Sequence, residues 1–256
     1  YVKWESLLER SMMLGADYIA TGHYARIEKL ENGRYALRTS KTSAKDQTYA
    51  LYNLTQDQLS KTLMPVGDYE KDEIREIAKK FNLRVANKPD SQEICFVSDN
   101  DYASFVESEI GKKMPEGNFV TADGEILGKH KGILHYTIGQ RKGLGIALGH
   151  PIFVTEIRSE TNEVVIGEND DVFGYSLEAD KLNAMAVEKF FDGMRAIGKI
   201  RYSHKGEHCT VKVIGEDRIR IDFDEKVRAI TPGQAVVLYD ESGLVLGGGT
   251  IIGRCD

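Results

Sequence analysis

The run Asp17-Tyr-Ile-Ala-Thr-Gly-His23 is the strongest fold signal in the chain. Its apolar centre is too short for a helix and reads as a buried strand. Gly22-His23 then marks a strand-to-loop junction, the place where open α/β sheets tend to hold ligands. Upstream, Trp4, Leu7, Leu8 and Met12 fall on one helical face and Gly15 suits the C-terminal cap. Downstream, Tyr24–Ile27 and Arg34–Arg38 flank Asn32-Gly33, a hairpin signature. Thr55 with Gln58 fits a capping box for a short helix that Pro65 is expected to end. Tyr69–Phe81 reads as an amphipathic helix with Ile74, Ile77, Ala78 and Phe81 on one stripe. The first third is therefore α/β.

Beyond a turn-rich loop, Asn87–Gln92, lies the strand-like Ile94-Cys-Phe-Val97, followed by a helix from Tyr102 to Ile110 with Tyr102, Phe105 and Val106 spaced to face a core. After Gly111 the pattern changes to short strands punctuated by glycine, including Pro151–Ile157 and Glu163–Ile166. From Lys181 onward, β-like runs recur at Cys209–Ile214, Arg218–Phe223, Ala235–Tyr239 and Leu244–Leu246. Regularly spaced short strands suggest a closed β-barrel, which leaves no exposed sheet edge. The expected class is α/β plus β.

Composition narrows the function. With 256 residues, 41% hydrophobic and 29% charged, the chain reads as soluble and globular. It has no apolar run near the roughly 20 residues of a membrane span and no basic-then-apolar leader, so a cytoplasmic location without membrane partners is expected. It opens without Met inside a helical pattern, as if cut. The net charge of −6 argues against nucleic acid, but the charge is uneven. From Lys129 to His150 there are four Lys/Arg, three His and no acid, whereas Arg158 to Asp192 carries nine acids against three bases. Local basic faces on an acidic protein suit a selective RNA binder.

Cys95, Cys209 and Cys255 are too few and too dispersed for a disulfide framework, and they form no close pair of the zinc-binding kind, so no metal ligands are assigned. Cys95 is the candidate nucleophile because it adjoins a polar loop containing Lys88 and Asp90, although core filling is the plainer reading of a cysteine in an apolar run. Gly22 could let a nucleotide approach the backbone, and His23 could place an imidazole near a substrate. Lys45-Asp46-Gln47 offers a cation, an anion and an amide able to clasp phosphate and base edges. Arg201-Tyr202 joins a phosphate-binding fork to a stacking surface, within a span from Arg195 to Lys212 holding five Lys/Arg and one acid. Gly143–Gly149 is not a phosphate loop, since its third glycine is misplaced and no capped helix follows. Thr137-Ile-Gly-Gln-Arg-Lys-Gly143 is more suggestive of RNA contact, with Gln140, Arg141 and Lys142 as donors.

Taken in order, Gly15–Tyr24, Lys45–Gln47, Pro89–Phe96, Tyr136–Gly145 and Pro232–Ala235 closely resemble the tRNA-specific 2-thiouridylases, and the resemblance covers essentially the whole chain. It implies the remainder of an adenine-nucleotide α-hydrolase-like (ATP-pyrophosphatase) α/β domain over residues 1–103, a small central domain over 104–170, and a C-terminal β-barrel over 171–256. It implies an enzyme that uses ATP and magnesium to adenylate the C2 oxygen of the tRNA wobble uridine. Sulfur would arrive on a cysteine persulfide loaded by a sulfur-relay protein or cysteine desulfurase.

By that resemblance Cys95 matches the persulfide cysteine and Gly22 a backbone contact to ATP. His23, Lys45, Asp46, Gln47, Arg201, Tyr202 and Gln234 match positions that touch tRNA. The family's Ser-Gly-Gly-Val-Asp-Ser type phosphate loop and its second catalytic cysteine, which releases the sulfur or closes a disulfide with the carrier, have no counterpart here. The expectation is a chain not competent by itself, with the main ATP and magnesium site in a preceding segment. The alternatives are a non-catalytic RNA-binding module with translation-factor-like β-barrels, and an adenylating enzyme acting on a small molecule.

Overall fold

The computed structural model describes residues 3–83 and 102–255. Contacts divide the chain into two units, residues 1–87, 175–225 and 231–256 in one, and 88–174 and 226–230 in the other. Among the described residues, no helix is long and apolar enough to cross a membrane.

The first unit opens with a π-helical turn, Lys3–Leu7, that runs into α1 (Leu8–Met13). Gly15, at φ +85°, closes it: the Gly15 N–H donates to the Met12 carbonyl and the Ala16 N–H to Ser11, both at 3.0 Å. This is a Schellman ending, and it needs the left-handed residue that glycine supplies. The strand expected at Asp17–Thr21 is β1 (Ile19–Ala20). The hairpin is β2 (Ala25–Lys29) and β3 (Tyr35–Thr39), in register from Ala25 opposite Thr39 to Lys29 opposite Tyr35. Next come α2 (Thr48–Leu51), α3 (Gln56–Ser60) and β4 (Thr62–Leu63), which pairs in parallel with β1.

Two expectations for this region need correction. The Thr55–Gln58 capping box is present, but α3 stops at Ser60 because the chain turns into β4, with the Thr62 hydroxyl donating to the Gln58 carbonyl at 2.7 Å. Pro65 does not end a helix; it opens the 3-10 turn Pro65–Asp68. The amphipathic helix is α4 (Lys71–Lys80), yet none of its residues is buried and Phe81 is 74% exposed. The apolar stripe is real, but Ile74, Ile77 and Ala78 are only half-buried.

The second unit contains α5 (Tyr102–Ile110), with the bounds expected, although only Ala103 is buried and Tyr102 is 56% exposed. A four-stranded sheet follows, made of β5 (Gly117–Val120), β6 (Ile126–His130), β7 (Phe153–Arg158) and β8 (Glu163–Gly167) in the order β6-β5-β8-β7. Phe119, Tyr136, Leu144, Ile152, Val154 and Val164 fill its core. His130 is buried among the Phe119 and Tyr136 rings. Its Nδ1 accepts the Gly132 N–H at 3.1 Å, so the proton sits on Nε2, which faces the Asn162 carbonyl at 3.1 Å.

The C-terminal barrel is built from β9 (Phe173–Ala184), β10 (Met194–Lys199), β11 (Glu207–Gly215), β12 (Arg218–Arg228), β13 (Ala235–Tyr239) and β14 (Val245–Arg254). They close in the order β10-β11-β12-β9-β14-β13, as the regular strand spacing implies. Alternation sets the register: Ile219, Ile221 and Phe223 point inward while their neighbours face out.

The barrel and the first third of the chain share one core, in which Leu37, Leu51 and Leu54 pack with Met185, Val237 and Val245. Polar ties reinforce it. Arg34, beside the hairpin turn, donates through Nε to the Met185 carbonyl at 2.8 Å and through Nη2 to Ala184 at 2.6 Å. Asn183 returns the contact, donating to the Tyr52 and Leu54 carbonyls at 2.7 and 3.0 Å. Gly248 makes the fit possible, since a Cβ there would lie 2.7 Å from the Tyr52 ring.

Candidate functional site

In the first unit, several of the residues singled out from the sequence converge. β1 delivers Gly22 and His23 at its carboxyl end. Gly22 is exposed, and a Cβ built on it would meet nothing within 4 Å, so a ligand has room to reach its backbone. The His23 Nδ1 lies 3.0 Å from the Thr21 hydroxyl, and the ring is tilted against Trp4 at 5.3 Å. Trp4 is itself fixed by its indole N–H to the Thr62 hydroxyl at 3.1 Å. The N-terminal helical turn thus braces the imidazole.

Lys45 ends the 3-10 turn Ser43–Lys45, and the other two members of its trio are engaged within the fold. Asp46 accepts the Ser40 N–H at 2.9 Å through one oxygen and the Thr48 N–H and hydroxyl through the other. Gln47 exchanges hydrogen bonds with Tyr24: its side-chain oxygen accepts the Tyr24 N–H at 2.9 Å, and its own N–H donates to the Tyr24 carbonyl at 2.9 Å. Loop 45–47 is therefore tied directly to the residue after His23.

The barrel side contributes Arg201, Tyr202 and Gln234. Tyr202 is 55% exposed, and Gln234 is exposed on the turn before β13. The connecting residue is Tyr49, whose hydroxyl donates to the Ala235 carbonyl at 2.8 Å. Burial pushes the Tyr49 phenol up to about 12, and the nearby Arg201 charge opposes that shift. Tyr49 thus lies between the loop 45–47 side and two of the three barrel candidates, Arg201 and the turn bearing Gln234. Cys95 and the loop Asn87–Gln92 lie outside the described residues.

Comparison with known proteins settles what kind of chain carries this arrangement. It is 68% identical over 252 residues to a protein named tRNA-specific 2-thiouridylase MnmA from Lachnoclostridium phytofermentans, covering 98% of this chain and 70% of that one. The protein of the same name from Clostridioides difficile is 54% identical, and that from Acetivibrio thermocellus 51%, each over 98% of this chain and 70% of the relative. The chain belongs to the tRNA-specific 2-thiouridylase family. Three family models also match in sequence: a tRNA methyl transferase HUP domain over residues 1–99, a tRNA methyl transferase PRC-barrel domain over 103–168, and an aminomethyltransferase beta-barrel domain over 176–251. Those descriptions name a different transferred group from the one in the relatives' names, and the relatives, at 51 to 68% identity, carry the assignment.

Of the two described cysteines of this 2-thiouridylase-family chain, Cys209 is unsuited to sulfur transfer as it stands. Cys209 is fully buried in the barrel, its Sγ 3.4 Å from the Ala196 carbonyl, and burial pushes its thiol up to about 12. Cys255 is half-buried, with Sγ 3.5 Å from the Ser176 hydroxyl. Among the described residues, no group of three or more His, Cys, Asp and Glu side chains could hold a metal ion.

Four neighbours of the candidate site were not singled out from the sequence. Tyr49 follows Gln47 by two positions. Tyr239 approaches the Thr48 hydroxyl at 3.2 Å, and the Lys199 ammonium sits 4.8 Å above its ring. His204 donates its backbone N–H to the Arg201 carbonyl at 3.1 Å, while its ring Nδ1 is buried without a hydrogen-bond partner in the described residues. Burial first, and the Arg201 charge second, lower the His204 imidazole below its ordinary value. Only their proximity in sequence to Gln47 and Arg201 could have flagged Tyr49, Lys199 and His204. Nothing in the sequence points to Tyr239.

Proposed function

We propose that this chain takes part in the 2-thiolation of the tRNA wobble uridine, with Cys95 carrying the incoming sulfur as a persulfide. Its tRNA would be held by His23, Lys45, Asp46, Gln47, Arg201, Tyr202 and Gln234. The division into 1–103, 104–170 and 171–256 belongs to the same proposal. The observation that carries the reading is the Tyr49–Ala235 hydrogen bond, because it ties α2, directly after Lys45–Gln47, to the barrel turn bearing Gln234. Together these segments offer the half-buried cations Lys45 and Arg201 beside the exposed Gln234 amide and Tyr202 ring, the kinds of group that grip a phosphate backbone and stack on unpaired bases.

The chemistry follows from sulfur. A thiol of ordinary pKa, about 8.5, is mostly protonated at neutral pH, whereas a persulfide is more acidic and a better nucleophile. A relay protein or cysteine desulfurase would pass its terminal sulfur to the Cys95 thiolate. That sulfur then bonds to uridine C2 as the C2 oxygen departs, and a further thiol must cleave the remaining sulfur–sulfur bond. ATP with magnesium, when bound, supplies the activation that makes the C2 oxygen a leaving group. Gly22 fits a backbone contact to ATP because its surroundings are open. Lys45, Arg201 and the exposed Tyr202 would orient the RNA, and the braced His23 would meet the nucleotide nearest the strand end.

Persulfide mapping tests the reading. The chain is incubated with a cysteine desulfurase, cysteine and a sulfur-relay protein, its thiols are alkylated, and the extra sulfur is located by peptide mass spectrometry. Sulfur on Cys95, and on neither Cys209 nor Cys255, is the expected result. Absence of sulfur from Cys95, with tRNA binding intact, would favour the non-catalytic RNA-binding module.

A further inference from the structure

In the second unit, the loop from Tyr136 to Leu144 is pinned at both ends by buried side chains, Tyr136 and Leu144, each under a tenth exposed. Between them the chain is tied to itself. The Gln140 side-chain oxygen accepts the Thr137 N–H at 3.0 Å, and its amide donates to the Lys142 carbonyl at 3.0 Å. The Gln140 backbone N–H bonds the Thr137 carbonyl at 2.9 Å, and its carbonyl accepts the Val154 N–H at 2.9 Å. Gly139 donates to the Val154 carbonyl at 2.7 Å, and its own carbonyl accepts Arg228 Nη2 at 3.1 Å. Arg228 is backed by the Phe153 ring at 5.4 Å. Gly139 holds φ +87°, and a Cβ there would strike Arg228 at 2.9 Å, so the position requires glycine.

What the loop leaves outward is Arg141 and Lys142. Both are exposed, and neither has an ion-pair partner among the described residues. Most other exposed cations with a described contact are neutralised, as with Arg195 by Asp224 and Lys41 by Glu73. Lys129 and Lys131 are exposed in the same acid-free span, and Ile146, two residues past the loop, lies 3.9 Å from where a Cβ on Gly128 in β6 would stand. The Gln140 amide, which could have read a base edge, is consumed within the loop. Two adjacent cations on a fixed loop without a base-reading group have the chemistry of a phosphate clamp.

We propose that Arg141 and Lys142 form a second RNA-contact site, one that binds the phosphodiester backbone irrespective of base sequence and is separate from the residues matched to tRNA above. The loop is already ordered, so binding costs little conformational entropy. This inference rests on the reading that tRNA is the nucleic acid bound.

The test is the salt dependence of binding to an unmodified tRNA transcript carrying a wobble uridine. It compares the full chain, an Arg141→Gln/Lys142→Gln variant and a control, Lys112→Gln/Lys113→Gln, which removes two exposed charges elsewhere in the same unit. Loss of two phosphate contacts lowers the slope of log K against log salt by about 1.4 and weakens binding roughly 10- to 30-fold at 0.1 M salt. The expected result is that fall in the loop variant alone, equal across transcripts of different anticodon-loop sequence. An unchanged slope, or an equal fall in the control, overturns the proposal. Absence of salt-dependent tRNA binding by the unaltered chain instead overturns the functional reading on which it rests.

Discussion

The Tyr49 hydroxyl and the Ala235 carbonyl, 186 positions apart in sequence, meet at 2.8 Å. Removing that hydroxyl with Tyr49→Phe keeps the ring but leaves the Ala235 carbonyl without its donor, a loss of about 0.5–1.5 kcal/mol in stability. If the bond sets the relation between loop 45–47 and Gln234, tRNA affinity falls several-fold as well. A double-mutant cycle of Tyr49→Phe with Gln234→Ala in tRNA binding is then non-additive. Strict additivity would reduce Tyr49 to a packing residue.

Lys45 and Asp46 are adjacent but differ in what they do for the fold. Lys45→Ala is expected to weaken tRNA binding and lower its salt slope by about one, at a smaller cost in melting temperature than Asp46→Ala. Asp46→Ala strands the buried-side donors of Ser40 and Thr48 and is expected to cost about 1–3 kcal/mol in thermal or denaturant unfolding. Equal melting temperatures for the two variants would contradict this division.

The buried His130 and the half-buried His204 make stability sensitive to acid. Burial lowers both His130 and His204 below the ordinary 6.5, with the Lys129 charge adding to the effect at His130 and Arg201 at His204. The unfolded chain therefore takes up protons at a higher pH than the native one, so stability is full above about 6.5 and declines as pH falls below it. For His130, the incoming proton would go to Nδ1 and break the Gly132 hydrogen bond. Side-chain NMR titration should give both midpoints below 6.5, and a midpoint above it for either ring would reverse the sign.

Thiol labelling under native conditions is expected to spare Cys209, which is fully buried with its pKa raised to about 12, and to modify the half-buried Cys255 before it. Alkylation time courses read by peptide mass spectrometry check this order. Early labelling of Cys209 would mean that the barrel opens readily at β10–β11.

Local chemistry in the sequence determined the elements. Gly15 specified a helix end, Asn32-Gly33 a hairpin, Thr55 with Gln58 a capped turn, and alternation in Arg218–Phe223 a barrel strand, because each depends on backbone geometry and burial within a few residues. The ordered motifs also determined the family, which the relatives show. Only the tertiary structure decided that α3 ends by entering β4 and not at Pro65, and that the stripe on α4 is left only half-buried. It alone joined the first third of the chain to the barrel through Arg34, Asn183 and Tyr49. It also showed that Asp46, Gln47 and Gln140, read as free donors and acceptors for RNA, have hydrogen-bonding atoms occupied within the fold. The physical reason is range: caps, turns and alternation are settled between near neighbours. Which polar atoms remain free for a ligand is known only after contacts between distant segments have claimed the rest.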